Sequence, residues 1–161
     1  MIDTKPTTNG APPTTLVEAL PVNALTPPSS VKATKVSRNS ASQRQEAGPV
    51  VDLRDELGGY TVSFTTLLVD IDATPLMKGL PDDRCPCPHW GYVFKGKMTA
   101  RYADRDEVYA AGDAFYSPPG HIQFANEPGT EFVWFSPSEE LRAAEAVMIK
   151  NMQAMAKGST P

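Results

Sequence analysis

Trp90 to His121 reads WGYVFKGKMTARYADRDEVYAAGDAFYSPPGH. Short runs rich in aromatic and β-branched residues are broken here by turn residues at a steady interval, which is the rhythm of a compact β domain. Lys95-Gly96 places a residue tolerant of positive φ between two β-rich flanks and predicts a tight hairpin. The polar YADRDEVY and the Ser-Pro-Pro-Gly ahead of His121 are two further reversals. Outward from this stretch the pattern continues, with YTVSFTTLLVDI (60–71) before it and IQFANEPGTEFVWFSP (122–137) after it, the latter split by a turn at NEPGT. Many short strands joined by short turns predict an all-β, antiparallel barrel of the jelly-roll kind over 50–137. Parallel βαβ units would need helices between the strands, and none is signalled there.

The flanks differ from this centre. All thirteen aromatic residues lie between Tyr60 and Phe135. Residues 1–48 are rich in Pro, Thr, Ser, Asn and Ala without a sustained period, so composition predicts a disordered arm. Within it LVEALPVNAL (Leu16–Leu25) is apolar enough to dock on this domain or on a partner. The segment 138–157 follows Pro137, offers Ser138 as an N-cap and puts Glu139 and Glu140 in the first turn, which predicts a helix ending near Gly158. Leu141, Ala144, Met148, Met152 and Met155 form one stripe at helical spacing. It is expected to pack on the barrel, with a homodimer seam or a flexible ligand surface as the alternatives.

At 161 residues with a formal charge of −4 and a pI near 5.1, the chain is the size of one ordinary domain and lacks the basic surface that nucleic acid requires. No run approaches the ~20 apolar residues of a membrane helix, and the first residues lack a targeting pattern, so a cytoplasmic protein is the expectation.

Both cysteines and one of the two histidines fall in RCPCPHWGY (84–92). Two cysteines one residue apart make a poor disulfide framework, so the thiols are expected reduced. Each precedes a proline, which pushes it towards extended backbone. In a regular strand Cys85, Cys87 and His89 would share one face, whereas polyproline geometry would turn one of them away. His121, behind its Pro-Pro-Gly turn, is placed to meet them. Thiolate and imidazole donors select a transition metal, zinc first, with iron, nickel or copper as further options. Core packing of the thiols and redox or haem chemistry at the Cys-Pro pairs are the competing readings.

GDAFYSPPG, Gly112 to Gly120, matches the second sequence motif of the cupins, and residues 60–136 resemble a small single-domain member of that family. The family places a histidine where this chain has Gln123, so the ligand role passes to His121, and Asn126 lies near the motif's asparagine. Counting forward from Gly79 puts Cys85 and Cys87 at the positions of the first motif's two histidines, and counting back from Gly96 puts His89 at its glutamate. The resemblance therefore implies a β-barrel with a sulfur-rich variant of the usual ligand set, Cys85 or Cys87 with His89 and His121, or all four together as a closed shell. It also implies action on a small organic molecule by oxygenase, isomerase or lyase chemistry. A non-catalytic module that binds or senses a metal or small ligand is the alternative.

Trp90, Tyr92, Phe94, Tyr102, Phe115, Tyr116, Phe124 and Trp134 are expected to line the barrel. Tyr92 and Tyr116 are the candidate catalytic proton donors, while no spacing argument brings Glu107 or Glu127 to the site. Asp82, Asp83 and Arg84 are expected at the mouth of the pocket.

Overall fold

The structure is a computed structural model and describes residues 35–158. Nine strands are followed by one helix: β1 (Gln43–Ala47), β2 (Val50–Leu57), β3 (Tyr60–Leu67), β4 (His89–Lys95), β5 (Lys97–Arg101), β6 (Asp106–Ala110), β7 (Ala114–Ser117), β8 (Ile122–Asn126), β9 (Thr130–Pro137) and α1 (Ser138–Gly158). All pairings are antiparallel. A six-stranded sheet runs β1-β2-β3-β9-β4-β7 and a three-stranded sheet runs β6-β5-β8. From β4 onwards the chain passes back and forth between the two sheets, which is how the alternating runs of 90–137 become an antiparallel barrel. The expected all-β architecture with a C-terminal helix is thus the one found.

Turn chemistry holds the crossings in register. Gly96, at φ +74°, does turn the chain between β4 and β5, but the two strands lie in different sheets, so the tight hairpin expected there is instead a crossing between sheets; a side chain at Gly96 would strike Thr130. Gly91 has ordinary backbone but no room for a Cβ, because the Phe115 ring and the Val133 carbonyl lie over it. The two sheets close on Leu67, Val93, Phe115 and Phe132 from one side and Met98, Ala100 and Tyr109 from the other, with Tyr102 just beyond β5. Asn126, read as a motif residue, acts here as a clamp: its Oδ1 accepts from the Ile71 amide at 3.0 Å and its Nδ2 donates to the Val69 carbonyl at 2.7 Å.

A second core lies under the helix. Leu141 and Ala144 of α1 pack with Met77, Leu80, Ile122 and both cysteines. Farther along, Asn151 donates to the carbonyls of Leu76 and Lys78, tying α1 to the short 3-10 turn Thr74–Met77. The apolar stripe therefore packs on the barrel through its first half only, since Met152 and Met155 are exposed. Ser138 begins the helix with its hydroxyl bonded to Thr61 Oγ1 at 2.9 Å. Arg54 of β2 binds Glu145 of α1 and Asp52 of its own strand, both within 2.8 Å.

One expected boundary needs correction. Composition assigned 1–48 to a disordered arm, but Gln43–Ala47 pair with β2 as an edge strand. An edge strand is recruited by the free main-chain groups of its neighbour and needs no apolar side chains, so QRQEA carries no hydrophobic signal. The rest of that arm up to residue 34, with Leu16–Leu25, lies outside the described residues.

Candidate metal centre

The turn Pro118-Pro119-Gly120 sets the geometry. Gly120 adopts φ +95°, a conformation that L side chains rarely reach, and so delivers His121 antiparallel to Cys85. The Cys85 amide donates to the His121 carbonyl at 2.9 Å, and the Gly120 amide donates to the Cys85 carbonyl at 2.7 Å. His89 starts β4, with its side chain on the inward face of the sheet. Cys85, His89 and His121 consequently bring one ligating atom each to within 4.8 Å of one another.

Both imidazoles are oriented from behind. His121 Nδ1 lies 2.7 Å from the Pro118 carbonyl, which can only accept, so Nδ1 carries the proton and Nε2 is free to coordinate. His89 Nδ1 is 2.6 Å from the hydroxyl of Ser136, a fully buried residue of β9, and its Nε2 faces Cys85 Sγ at 3.6 Å. With bonds of about 2.3 Å to sulfur and about 2.0 Å to nitrogen, a tetrahedral ion would set its S and N ligands about 3.5 Å apart. The observed separation fits. Anchoring each ligand histidine through its other nitrogen is the usual support of a metal site.

Charge states agree with this. Burial, and secondarily His121, pushes His89 down to about 3. Burial lowers His121 as well. Both rings are therefore neutral at neutral pH, the form a metal needs. Burial raises the Cys85 thiol, so binding a cation there must release its proton.

Cys87 does not join them. The chain bends at Cys87, so the strand-like alternation from Cys85 to His89 is broken, and the middle thiol turns into the second core. It is wholly buried, and burial together with the charges of Cys85, Glu140 and Glu145 pushes its thiol up to about 12.

The two tyrosines singled out as proton donors are also misplaced. On β4 the inward positions are His89, Gly91 and Val93, so Trp90, Tyr92 and Phe94 point outwards, and Tyr92 is 42% exposed. Tyr116 alternates with the buried Phe115 and Ser117 and is 47% exposed, stacked on Trp90. Of the proposed lining, Tyr102, Phe115 and Trp134 do face inwards: the Trp134 ring meets His89 edge-on at 4.5 Å, and the Tyr102 and His121 rings are 6.2 Å apart.

The inward phenols are Tyr102 and Tyr109, whose hydroxyls are 3.2 Å apart, and Tyr109 donates to Glu107 at 2.9 Å. Strand parity in EVYAA and MTARY was the signal that could have found them. Beside them a cleft of about 380 Å³ is lined by Tyr102, Arg84, Arg105, Asp82, Pro118 and Gly120, among others. Asp82 and Arg84 thus do rim a cleft, and it lies against the turn that carries His121.

Fold and site together define a cupin-like antiparallel β-barrel with a Cys/His/His cluster inside. The chain matches no protein-family model and no curated protein sequence. Among solved structures it is similar to a protein of unknown function from Rhizobium leguminosarum bv. viciae 3841, with 16% identity, a TM-score of 0.50, and coverage of 66% of this chain and 96% of that one. It is also similar to KdgF from Halomonas sp., at 15% identity, TM-score 0.45 and coverage of 65% and 94%. The polyketide cyclase RemF from Streptomyces resistomycificus gives 16% identity, TM-score 0.47 and coverage of 66% and 80%. At such identities the likeness concerns the fold alone.

No helix among the described residues is long and apolar enough to cross a membrane.

Proposed function

We propose that the protein is a metal-binding cupin-like protein whose ion, zinc before iron, nickel or copper, is held by Cys85, His89 and His121, and that it acts on a small organic molecule. The observation that carries this reading is the convergence of those three donor atoms with both imidazoles fixed through Nδ1. Three protein ligands leave one tetrahedral position for water or substrate. When bound, such an ion supplies Lewis acidity to a substrate oxygen. The Pro118 carbonyl keeps His121 in the binding tautomer, Ser136 orients His89 through Nδ1, Trp134 packs edge-on against His89, and the cleft beside Tyr102 borders the turn that carries His121. Tyr102, with Tyr109 and Glu107 behind it, replaces Tyr92 and Tyr116 as the phenol placed to hand on a proton.

A second reading, a sealed centre with a structural or sensing role, draws on α1 and the 3-10 turn Thr74–Met77, which close over the cysteine side. Elemental analysis and X-ray absorption on protein purified without a metal-affinity tag test both. One ion per chain with one sulfur, two nitrogens and an exchangeable oxygen supports the first reading. A shell without exchangeable oxygen supports the second, and failure to hold a stoichiometric transition metal after reconstitution sinks both.

A further inference from the structure

Arg84 is the one arginine of the chain that meets no carboxylate among the described residues. Each of the other six has one within 3.0 Å, from Arg38 on Glu131 to Arg142 on Glu56. The Arg84 guanidinium is nevertheless half-buried and held in place, with Nη1 donating to the Arg101 carbonyl at 3.1 Å at the end of β5. The main chain behind it is braced as well. Asp82 and Asp83 adopt φ of +53° and +51°, Asp83 Oδ1 accepts from the Gly79 amide at 2.7 Å, and the Arg84 amide donates to the Pro81 carbonyl at 3.0 Å. Two successive non-glycine residues hold such backbone only where their surroundings fix it. No acceptor among the described residues takes Nε or Nη2 of Arg84. Arg84 lines the cleft of about 380 Å³ together with Tyr102, Pro118, Pro119 and Gly120. Arg105 lines it too, but Asp104 at 3.1 Å and Glu107 at 2.7 Å already engage that guanidinium, which lies over the Tyr102 ring at 4.4 Å.

We propose that this cleft binds a small monocarboxylic acid, with the carboxylate on Arg84 and the apolar body against Tyr102, Pro118 and Pro119. A guanidinium offers a planar fork that matches the two oxygens of a carboxylate, and one already fixed in orientation loses little freedom on binding. The walls set the charge of the ligand. With Arg105 engaged, the cleft presents one open cation, Arg84, and one open anion, Asp82, which has no cationic partner among the described residues. One negative charge is therefore accepted and a second is repelled, which disfavours a phosphate dianion. The volume lies at the low end of the range of about 300–1,000 Å³ for small-molecule sites, so the acid is small. The cleft borders the turn that carries His121, and the Tyr102 ring is 6.2 Å from that imidazole. An acid held here is thus the substrate class of the Cys/His/His centre, a step that rests on the metal reading above, whereas the binding itself does not.

Titration of the nitrogen-15-labelled full chain with benzoate, followed by NMR, tests this. Benzoate at millimolar concentrations should shift the Arg84 Nε–Hε signal and the Tyr102 and Gly120 amides together and saturably. Benzamide, which keeps the ring without the charge, and inorganic phosphate should each bind at least tenfold more weakly. Arg84→Met should weaken benzoate at least tenfold while metal content and the far-UV spectrum stay as in wild type. No saturable shift at tens of millimolar, equal binding of benzamide or phosphate, or unchanged benzoate affinity in Arg84→Met would each overturn the proposal. If Arg84→Met fails to fold, Arg84→Lys decides: it keeps the charge and loses the fork, so benzoate should weaken several-fold, and unchanged affinity overturns the proposal. The shifts should persist after treatment with a chelator. Their loss there would put the acid on an ion instead of on Arg84 and overturn the proposal, while a chain that binds benzoate yet never holds a stoichiometric metal supports it and sinks the metal reading alone.

Discussion

Cys85 and Cys87 are the same residue, two positions apart, each ahead of a proline and each in the second core, yet only Cys85 faces the histidines. Cys85 is held by two main-chain hydrogen bonds to the Gly120-His121 turn, which fix its side chain beside His89. Cys87 has no such ladder partner; it sits at the bend, with its thiol 3.6 Å from the Pro88 carbonyl and α1 packed over it. Donor chemistry is shared by both residues. Backbone pairing makes a ligand of one and a small core side chain of the other.

The largest effect expected from this contrast is on metal content. Cys85→Ala removes a direct ligand and should cost more than the 10–100-fold in affinity that a lost supporting partner costs. Elemental analysis should then find little metal. Cys87→Ala should keep a full complement while losing about 1–2 kcal/mol of stability through the small cavity it leaves, read from denaturant midpoints. Equal metal loss in the two variants would erase the distinction between them.

Acid should act on the histidine side of the contrast. In the metal-free protein His89 titrates near 3, against an unfolded value of about 6.5. As pH falls below 6.5 the unfolded chain takes up the proton first, so stability is full above that value and declines towards pH 3. The loss is up to about 1.4 kcal/mol per pH unit from this residue. His89→Gln should flatten that part of the stability curve; an unaltered slope would mean that the ring is solvated.

Ser136→Ala tests the anchor alone. The hydroxyl 2.6 Å from His89 Nδ1 would be gone while every ligand remained. A fall of about 10–100-fold in metal affinity is expected, measured by competition with a chromogenic chelator. Ser136 was not legible in the sequence, because nothing in WFSPSEE distinguishes it from a turn serine. Its position follows from the β9 register, which pairs it with Thr61 and sets it beside His89.

Other parts were legible for definite reasons. The barrel was, because period-2 alternation and glycines at tight turns are local signals, as Gly96 and Gly120 show. His121 was, because a Pro-Pro-Gly turn can only reverse the chain. The third-ligand question was open in the sequence, since extended and polyproline backbones differ only in where the middle residue points, and the bend at Cys87 answers it. β1 was hidden, because pairing at a sheet edge leaves no mark on side-chain composition.

The smallest effect expected is at the residues that chemistry alone favoured. Tyr92 and Tyr116 carry hydroxyls that a proton donor needs, but the alternation that directs His89 inwards directs both of them outwards. Tyr92→Phe and Tyr116→Phe remove only the hydroxyls and keep the rings that cover the outer face. Metal content should be unchanged and stability should move by no more than about 0.5 kcal/mol. Tyr102→Phe differs, because it removes a buried hydrogen bond to Tyr109, whose hydroxyl keeps Glu107 and Ser117, and losing such a bond costs about 0.5–1.5 kcal/mol. If thermal melts ranked Tyr92→Phe above Tyr102→Phe in cost, the inward and outward assignment of the barrel strands would be reversed, and with it the case for His89 as a ligand.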